Sequence, residues 1–135
     1  MIDRARFNRG WGRAAVPTAL AESYLADGYW SDATLGQTVA AGLGAMPDYR
    51  FRVHSKVHPW IGTLGDVDRA ARTLATNLQT RGIGPGSVIV SQQPNWVEAG
   101  ITFWAAAYLG AVVIPIVHFY GRKELYERYT ARFGE

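Results

Sequence analysis

"QQPNWVEAGITFWAAAYLGAVVIPIVHFYGRKEL", residues 92–125, carries no Asp, Glu, Lys or Arg between positions 99 and 120. Two readings compete for it. Wound as one helix, the uncharged residues 99–117 reach roughly 28 Å, close to the apolar thickness of a bilayer, and Gly and Pro are tolerated in such spans. Read by its punctuation, the same stretch breaks in two. Asn95 is a good N-cap, and Glu98 three residues on completes a capping box, so a helix is predicted over 96–109. Gly110 stands where a C-terminal glycine belongs, and "AVVIPIV", residues 111–117, is a short apolar run of the kind found in buried parallel strands. With "SVIVSQ", residues 87–92, as a strand ahead of the helix, the succession is strand, helix, strand: one right-handed βαβ unit. The punctuation favours this reading over the membrane span.

That reading carries a demand. A helix bearing Trp96, Val97, Ile101, Phe103, Trp104, Ala107 and Leu109 is apolar on most sides, with Glu98 and Thr102 as a narrow polar strip. Parallel strands are likewise covered on both faces. Few other elements exist to cover both, so the sequence predicts an exposed apolar patch and self-association or aggregation.

Upstream, Val67, Ala70, Ala71, Leu74, Ala75 and Leu78 form one apolar stripe, predicting a helix over 67–81 that Gly82 ends in a left-handed turn. "YRFRVHSKVHPWI", residues 49–61, fits a hairpin or two edge strands. Thr34 and Gln37 have capping-box spacing ahead of Leu35, Val39, Leu43 and Met46, and Pro47 stops that run. Pro17 suits the first position of a short helix with Leu20, Tyr24 and Leu25 on one side, closed by Gly28.

Composition narrows the class. Apolar residues at 48% and charged residues at 19% describe a globular chain, and 135 residues suit one small domain. There are no cysteines, which excludes disulfides, thiolate metal sites and cysteine nucleophiles and fits a reducing compartment. The start, "MIDRARFNRGWGRAAVP", has no apolar core of a secretory signal, so a cytoplasmic location is expected. The net charge of +3 is uneven, with Arg4, Arg6, Arg9 and Arg13 in an N-terminal arm, residues 1–16, read as a solvated terminus. No basic face with interleaved aromatics follows, and nucleic-acid binding is not expected.

The residues that resemble chemistry mostly have structural explanations. In "GIGPG", Gly82, Gly84 and Gly86 follow a helix and precede a strand, the reverse of a phosphate-cradling loop. His54 and His58 have the i, i+4 spacing of a helical zinc pair, but Pro59 follows and the segment reads as extended, with His118 distant. Ser23, Ser55 and Ser91 lack nucleophile-elbow glycines. A ligand site at the C-terminal ends of the two parallel strands would draw on Gln93, Asn95 and His118, the expectation for a stand-alone α/β binding module.

Three segments occur in a telling order: "SYLADGYWSDATLG", "TLGDVDRAARTLATNLQTRGIGPGSVIV" and "QQPNWVEAGITFWAAAYLGAVVIPIVHFYGRKEL". Over residues 24–125 they resemble the N-terminal segment of AMP-forming acyl-CoA synthetases, the adenylate-forming ligases. The resemblance implies an α/β fold in which residues 17–135 form part of an N-terminal, AMP-binding type domain. It implies an enzyme that activates a carboxylic acid, such as a fatty acid, with Mg·ATP as an acyl-adenylate and passes the acyl group to coenzyme A. The family's phosphate-holding Gly/Ser/Thr loop ending in lysine has no counterpart in these residues. "YGRKE", residues 120–124, has Lys123 where the family's adenine-contacting motif has threonine, and it lies too early in the chain. It matches better the family's turn into a short helix, so Tyr120 and Glu124 receive no catalytic role. No catalytic, cofactor-binding or metal residue is therefore expected in this chain. The expectation is an incomplete domain ending before the catalytic motifs, inactive alone, with ATP, Mg2+, coenzyme A and the acid as partners of a full-length enzyme.

Overall fold

The computed structural model describes residues 16–133, with side chains to residue 127. The arginine arm, apart from Val16, lies outside the described residues. The elements run α1 (Thr18–Ala26), α2 (Leu35–Ala45), β1 (Arg50–Val53), β2 (Trp60–Thr63), α3 (Leu64–Gln79), β3 (Val88–Gln92), α4 (Val97–Leu109), β4 (Val112–Ile116) and α5 (Arg122–Phe133). The fold is α/β, as the sequence predicts.

The stretch around α4 divides where its punctuation says. Gly110 adopts φ +65°, a left-handed conformation that only glycine takes at little cost, and its N–H reaches the carbonyls of Ala106 and Ala107. The helix therefore stops at Leu109, and no helix among the described residues is long and apolar enough to cross a membrane. β3 and β4 pair in parallel, Val88 opposite Val112 through Gln92 opposite Ile116. The single-helix reading of residues 99–117 is overturned.

The start of α4 corrects the sequence reading. Trp96, extended at φ −99° and ψ 170°, is the N-cap, and its side chain makes no capping bond. Glu98 is then the second helical residue rather than the third, one position too early to reach back to the cap. Asn95 stands outside the helix. Conversely, α3 begins three residues before its predicted start. Thr63 Oγ1 accepts from the Asp66 N–H at 3.1 Å, and an Asp66 carboxylate oxygen accepts from the Thr63 N–H at 2.8 Å. This box carries Asp where the familiar pattern has Glu or Gln. The Thr34–Gln37 box at α2 is present as predicted, with bonds of 3.2 and 2.7 Å. Pro17 is the N-cap of α1 rather than its first residue.

The core is small and made of small residues. Ala71 and Ala75 of α3 pack on Ala105 and Leu109 of α4, ringed by Leu74, Leu78, Ile101, Trp104 and Tyr108. Alanines at the centre let the two helices approach closely, while leucine and aromatic side chains fill the rim. α2 docks on α4 through Gly36, which is buried against the backbone of Ala107 and Tyr108. β1 and β2 form the hairpin alternative, antiparallel with Arg50 opposite Thr63.

The parallel pair departs from expectation in one respect: neither strand is fully buried, and the face turned from α4 is only partly covered, with Val112 and Ile114 half-buried and Val88 and Val90 exposed. Ser91, Val113 and Pro115 turn toward α4, sharing a cleft with its Ala99, Thr102 and Phe103. Side chains alternate along a strand, so Val88 and Val90 turn the other way and are 41% and 42% exposed. α4 supplies the layer on the first face.

Candidate functional site

The C-terminal ends of β3 and β4 and the first turns of α4 enclose a cleft of about 200 Å³. Ser91, Gln93, Asn95 and Thr102 give it polar groups; Phe103 and Pro115 give it apolar walls. Ser91 donates its hydroxyl to the Gln93 side-chain carbonyl at 2.9 Å. Gln92 spans the exit from β4, its amide nitrogen donating to the carbonyls of Tyr120 at 2.7 Å and Val117 at 3.2 Å. Of the three residues a strand-end site would use, Gln93 and Asn95 line the cleft. His118 does not; it is exposed beside Phe119. The volume falls below the roughly 300 Å³ at which small-molecule pockets begin, so the cleft by itself does not enclose a nucleotide.

The glycine cluster is closed to phosphate. Gly82 donates to the Gln79 carbonyl at 2.9 Å, Gly84 to Ser87 Oγ at 3.0 Å and Gly86 to the Gly110 carbonyl at 2.9 Å. All three amides are spent inside the chain: those of Gly82 and Gly84 close the turn from α3 to β3, and that of Gly86 ties it to the end of α4. This glycine loop thus does not cradle the phosphates of a nucleotide.

The two spaced histidines part company. His58 Nε2 meets Glu98 Oε1 at 2.8 Å, and its ring lies 4.8 Å from that of Trp96. This ties the hairpin loop to the start of α4 across 40 positions of sequence. His54 lines a separate cleft on the hairpin. Among the described residues no three His, Asp or Glu side chains gather as a metal site. Ser23 donates to Asp27 at 3.2 Å, and Ser55 accepts from the backbone N–H groups of Val57 and His58. Tyr120 and Glu124 flank the turn into α5, with the Leu125 N–H on the Gly121 carbonyl at 3.1 Å.

One polar cluster escaped the sequence reading. Tyr108 of α4 donates its hydroxyl to Asp68 of α3, and Arg72 Nε donates to the same carboxylate at 2.9 Å. The Arg72 guanidinium also lies 4.7 Å from the centre of the Tyr108 ring. Burial raises the Asp68 carboxyl, but the bonds from Arg72 and Tyr108 outweigh it and hold it below the ordinary carboxylate range. Burial and then the Asp68 bond push the Tyr108 hydroxyl up to about 12. Because its folded value lies above the ordinary value near 10, this group's contribution to stability is complete below about pH 10 and is lost as the pH rises toward 12. Ultraviolet titration is expected to show one tyrosine ionising near pH 12, absent in Tyr108→Phe and moved down in Asp68→Asn. An unchanged titration curve in both variants would refute the assignment. The cluster clips α3 to α4, and Arg72 and Tyr108 also line an open surface cleft of about 560 Å³ with Thr76, Gln79, Gly84 and Pro85.

The sequence profile of AMP-binding enzymes matches residues 51–130, more than half of the chain. The chain belongs to the AMP-binding enzyme family. Its family relatives include the medium-chain fatty-acid–CoA ligase of Escherichia coli (strain K12), 32% identical over 103 residues, which are 76% of this chain and 18% of that protein. The salicyl-AMP ligase / salicyl-S-ArCP synthetase of Mycobacterium tuberculosis (strain ATCC 25618 / H37Rv) is 30% identical over 105 residues, 76% of this chain and 19% of that protein. Among solved structures, apo MbtA of Mycobacterium smegmatis superposes with a TM-score of 0.72 at 25% identity, covering 87% of this chain and 22% of that one. The architecture is that of part of the N-terminal domain of adenylate-forming ligases. This AMP-binding family chain thus spans about a fifth of the length of the curated relatives it matches.

Proposed function

We propose that these residues are the leading part of an ATP-dependent carboxylic acid–CoA ligase that works through an acyl-adenylate, with a fatty acid as the acid. Residues 1–16 are its basic arm, and residues 17–135 are a scaffold portion of its AMP-binding domain. In this reading ATP, Mg2+ and coenzyme A serve the complete enzyme, which is cytoplasmic, and no residue here is catalytic. The observation that carries the reading is the half-covered parallel pair of β3 and β4, within the span that matches the family. The 200 Å³ cleft and the engaged glycine amides support the corollary that this chain alone does not form an adenylate. A transition state with developing phosphate charge needs fixed donors aimed at it, and neither the strand-end cleft nor the glycine loop supplies a cation or a free backbone amide of that kind.

The test is a pyrophosphate-release assay with purified chain, ATP, magnesium and a medium-chain fatty acid, repeated with an aryl acid such as salicylate. The expected rate equals that of a boiled control. Turnover above that control would overturn the scaffold assignment. Turnover restored by the remaining part of such an enzyme, with one acid and not the other, would identify the acid.

A further inference from the structure

The hairpin of β1 and β2 has an inner and an outer side. Phe51 and Trp60 turn inward, their rings 5.8 Å apart, and Phe51 lies 6.3 Å from Trp104 of α4. Arg50 and Arg52 alternate with Phe51 and are exposed, and Ile61, the register partner of Arg52, is 58% exposed. On this outer side Arg52, His54, Ser55 and Lys56, with Pro59 and Ile61, line a cleft of about 370 Å³.

Its chemistry is one-sided. The lining holds a guanidinium, an ammonium and an imidazole, and no carboxylate. Arg69, Arg72 and Lys123 each face an acid, at Asp66, Asp68 and Glu127. Arg52 and Lys56, like Arg50, Arg81 and Arg122, are in no ion pair among the described residues, and these two share one cleft. Gathering like charges costs repulsion that a bound anion relieves. Ser55 Oγ accepts from the N–H groups of Val57 and His58 at 3.3 and 3.0 Å, a turn that fixes the oxygen and leaves its proton to donate. Pro59 and Ile61 add an apolar wall.

The geometry points to a binding site for a phosphate group, held by Arg52, Lys56 and the Ser55 hydroxyl, with its organic portion against Pro59 and Ile61. A guanidinium fork, a point-charge ammonium and a hydroxyl match the several acceptor oxygens of a phosphate better than a single carboxylate. The phosphate is that of a free monoester or of a lipid headgroup; for the latter, Val57 at the loop tip is 84% exposed. The site is independent of the ligase reading, since it uses no residue of the strand-end cleft.

Isothermal titration of the full chain with inorganic phosphate and phenyl phosphate, at low ionic strength, tests the free source. Co-sedimentation with phosphatidylglycerol vesicles, against phosphatidylcholine vesicles, tests the headgroup. The double variant Arg52→Gln with Lys56→Gln is expected to bind about tenfold or more weakly. Arg122→Gln with Lys123→Gln, equal in charge and placed on α5, is expected to bind as the parent does. Ser55→Ala, which keeps every cation, gives a smaller loss and serves if the double variant loses its native circular dichroism. Saturable binding to either probe with this pattern supports the site and names its source. No binding to phosphate, phenyl phosphate or phosphatidylglycerol overturns it, and so does an equal loss in both double variants, which would report diffuse positive charge.

Discussion

Gly36→Ala is expected to destabilise the chain by about 2 kcal/mol, while Gly42→Ala and Gly44→Ala in the same helix stabilise it by up to about 1 kcal/mol each. All three glycines lie inside α2, where alanine is the better helix former. What separates them is the space around them. A Cβ at Gly36 would fall 2.5 Å from the Ala107 carbonyl oxygen and 3.2 Å from the Tyr108 Cα, whereas nothing lies within 4 Å at Gly42 or Gly44. The obstructing atoms belong to the backbone of α4 and cannot swing aside. Relief requires α2 to lift from α4, and overpacking of this kind costs about 3 kcal/mol, against a propensity gain near 1. Urea unfolding followed by circular dichroism, at matched protein concentration, measures all three. A Gly36→Ala midpoint at or above that of the parent would show that α2 does not rest on α4 as described.

The second large effect is on association. Purified alone, the chain is expected to elute as oligomers or aggregates in size-exclusion chromatography with light scattering. Val88 and Val90 are more than two-fifths exposed on the partly covered side of the parallel pair, and Val112 and Ile114 lie opposite them in register. Phe103 of α4 is 47% exposed as well. Apolar strand surface of this kind, next to unpaired strand edges, recruits further chains. Val88→Lys with Val90→Lys is expected to shift the distribution toward monomer, because a charge on that face must be desolvated to associate. A monodisperse, cooperatively unfolding parent would show instead that the residues form a complete domain. That outcome favours a small binding module, using the cleft of Ser91, Gln93 and Asn95.

Much of the fold was legible because its signals are local. The Thr34–Gln37 box, the stripe from Val67 to Leu78 and the glycines at 82 and 110 each act within one or two turns of their own position. They specify where a helix starts, which side it buries and where it stops. The misread start of α4 has a local cause too. A capping box works only in register, and the extended Trp96 moved the helix start one residue beyond Asn95, leaving Glu98 free to meet His58.

Residues 92–125 were enough to decide between one long helix and a strand–helix–strand unit, because Gly110 alone can turn the chain at φ +65° there. They were not enough to reveal what meets across the fold. His58 and Glu98, like Asp68 and Tyr108, stand 40 positions apart, and Gly36 meets Ala107 across a longer interval still. Such pairs leave no periodicity in the chain, since neither partner's neighbours repeat the signal. The partly covered face of β3 and β4 is of the same kind: sequence gives a strand's apolar demand, but only packing decides which side is met. Local preferences are carried by a few adjacent residues, whereas contacts between elements depend on how the helices and strands dock.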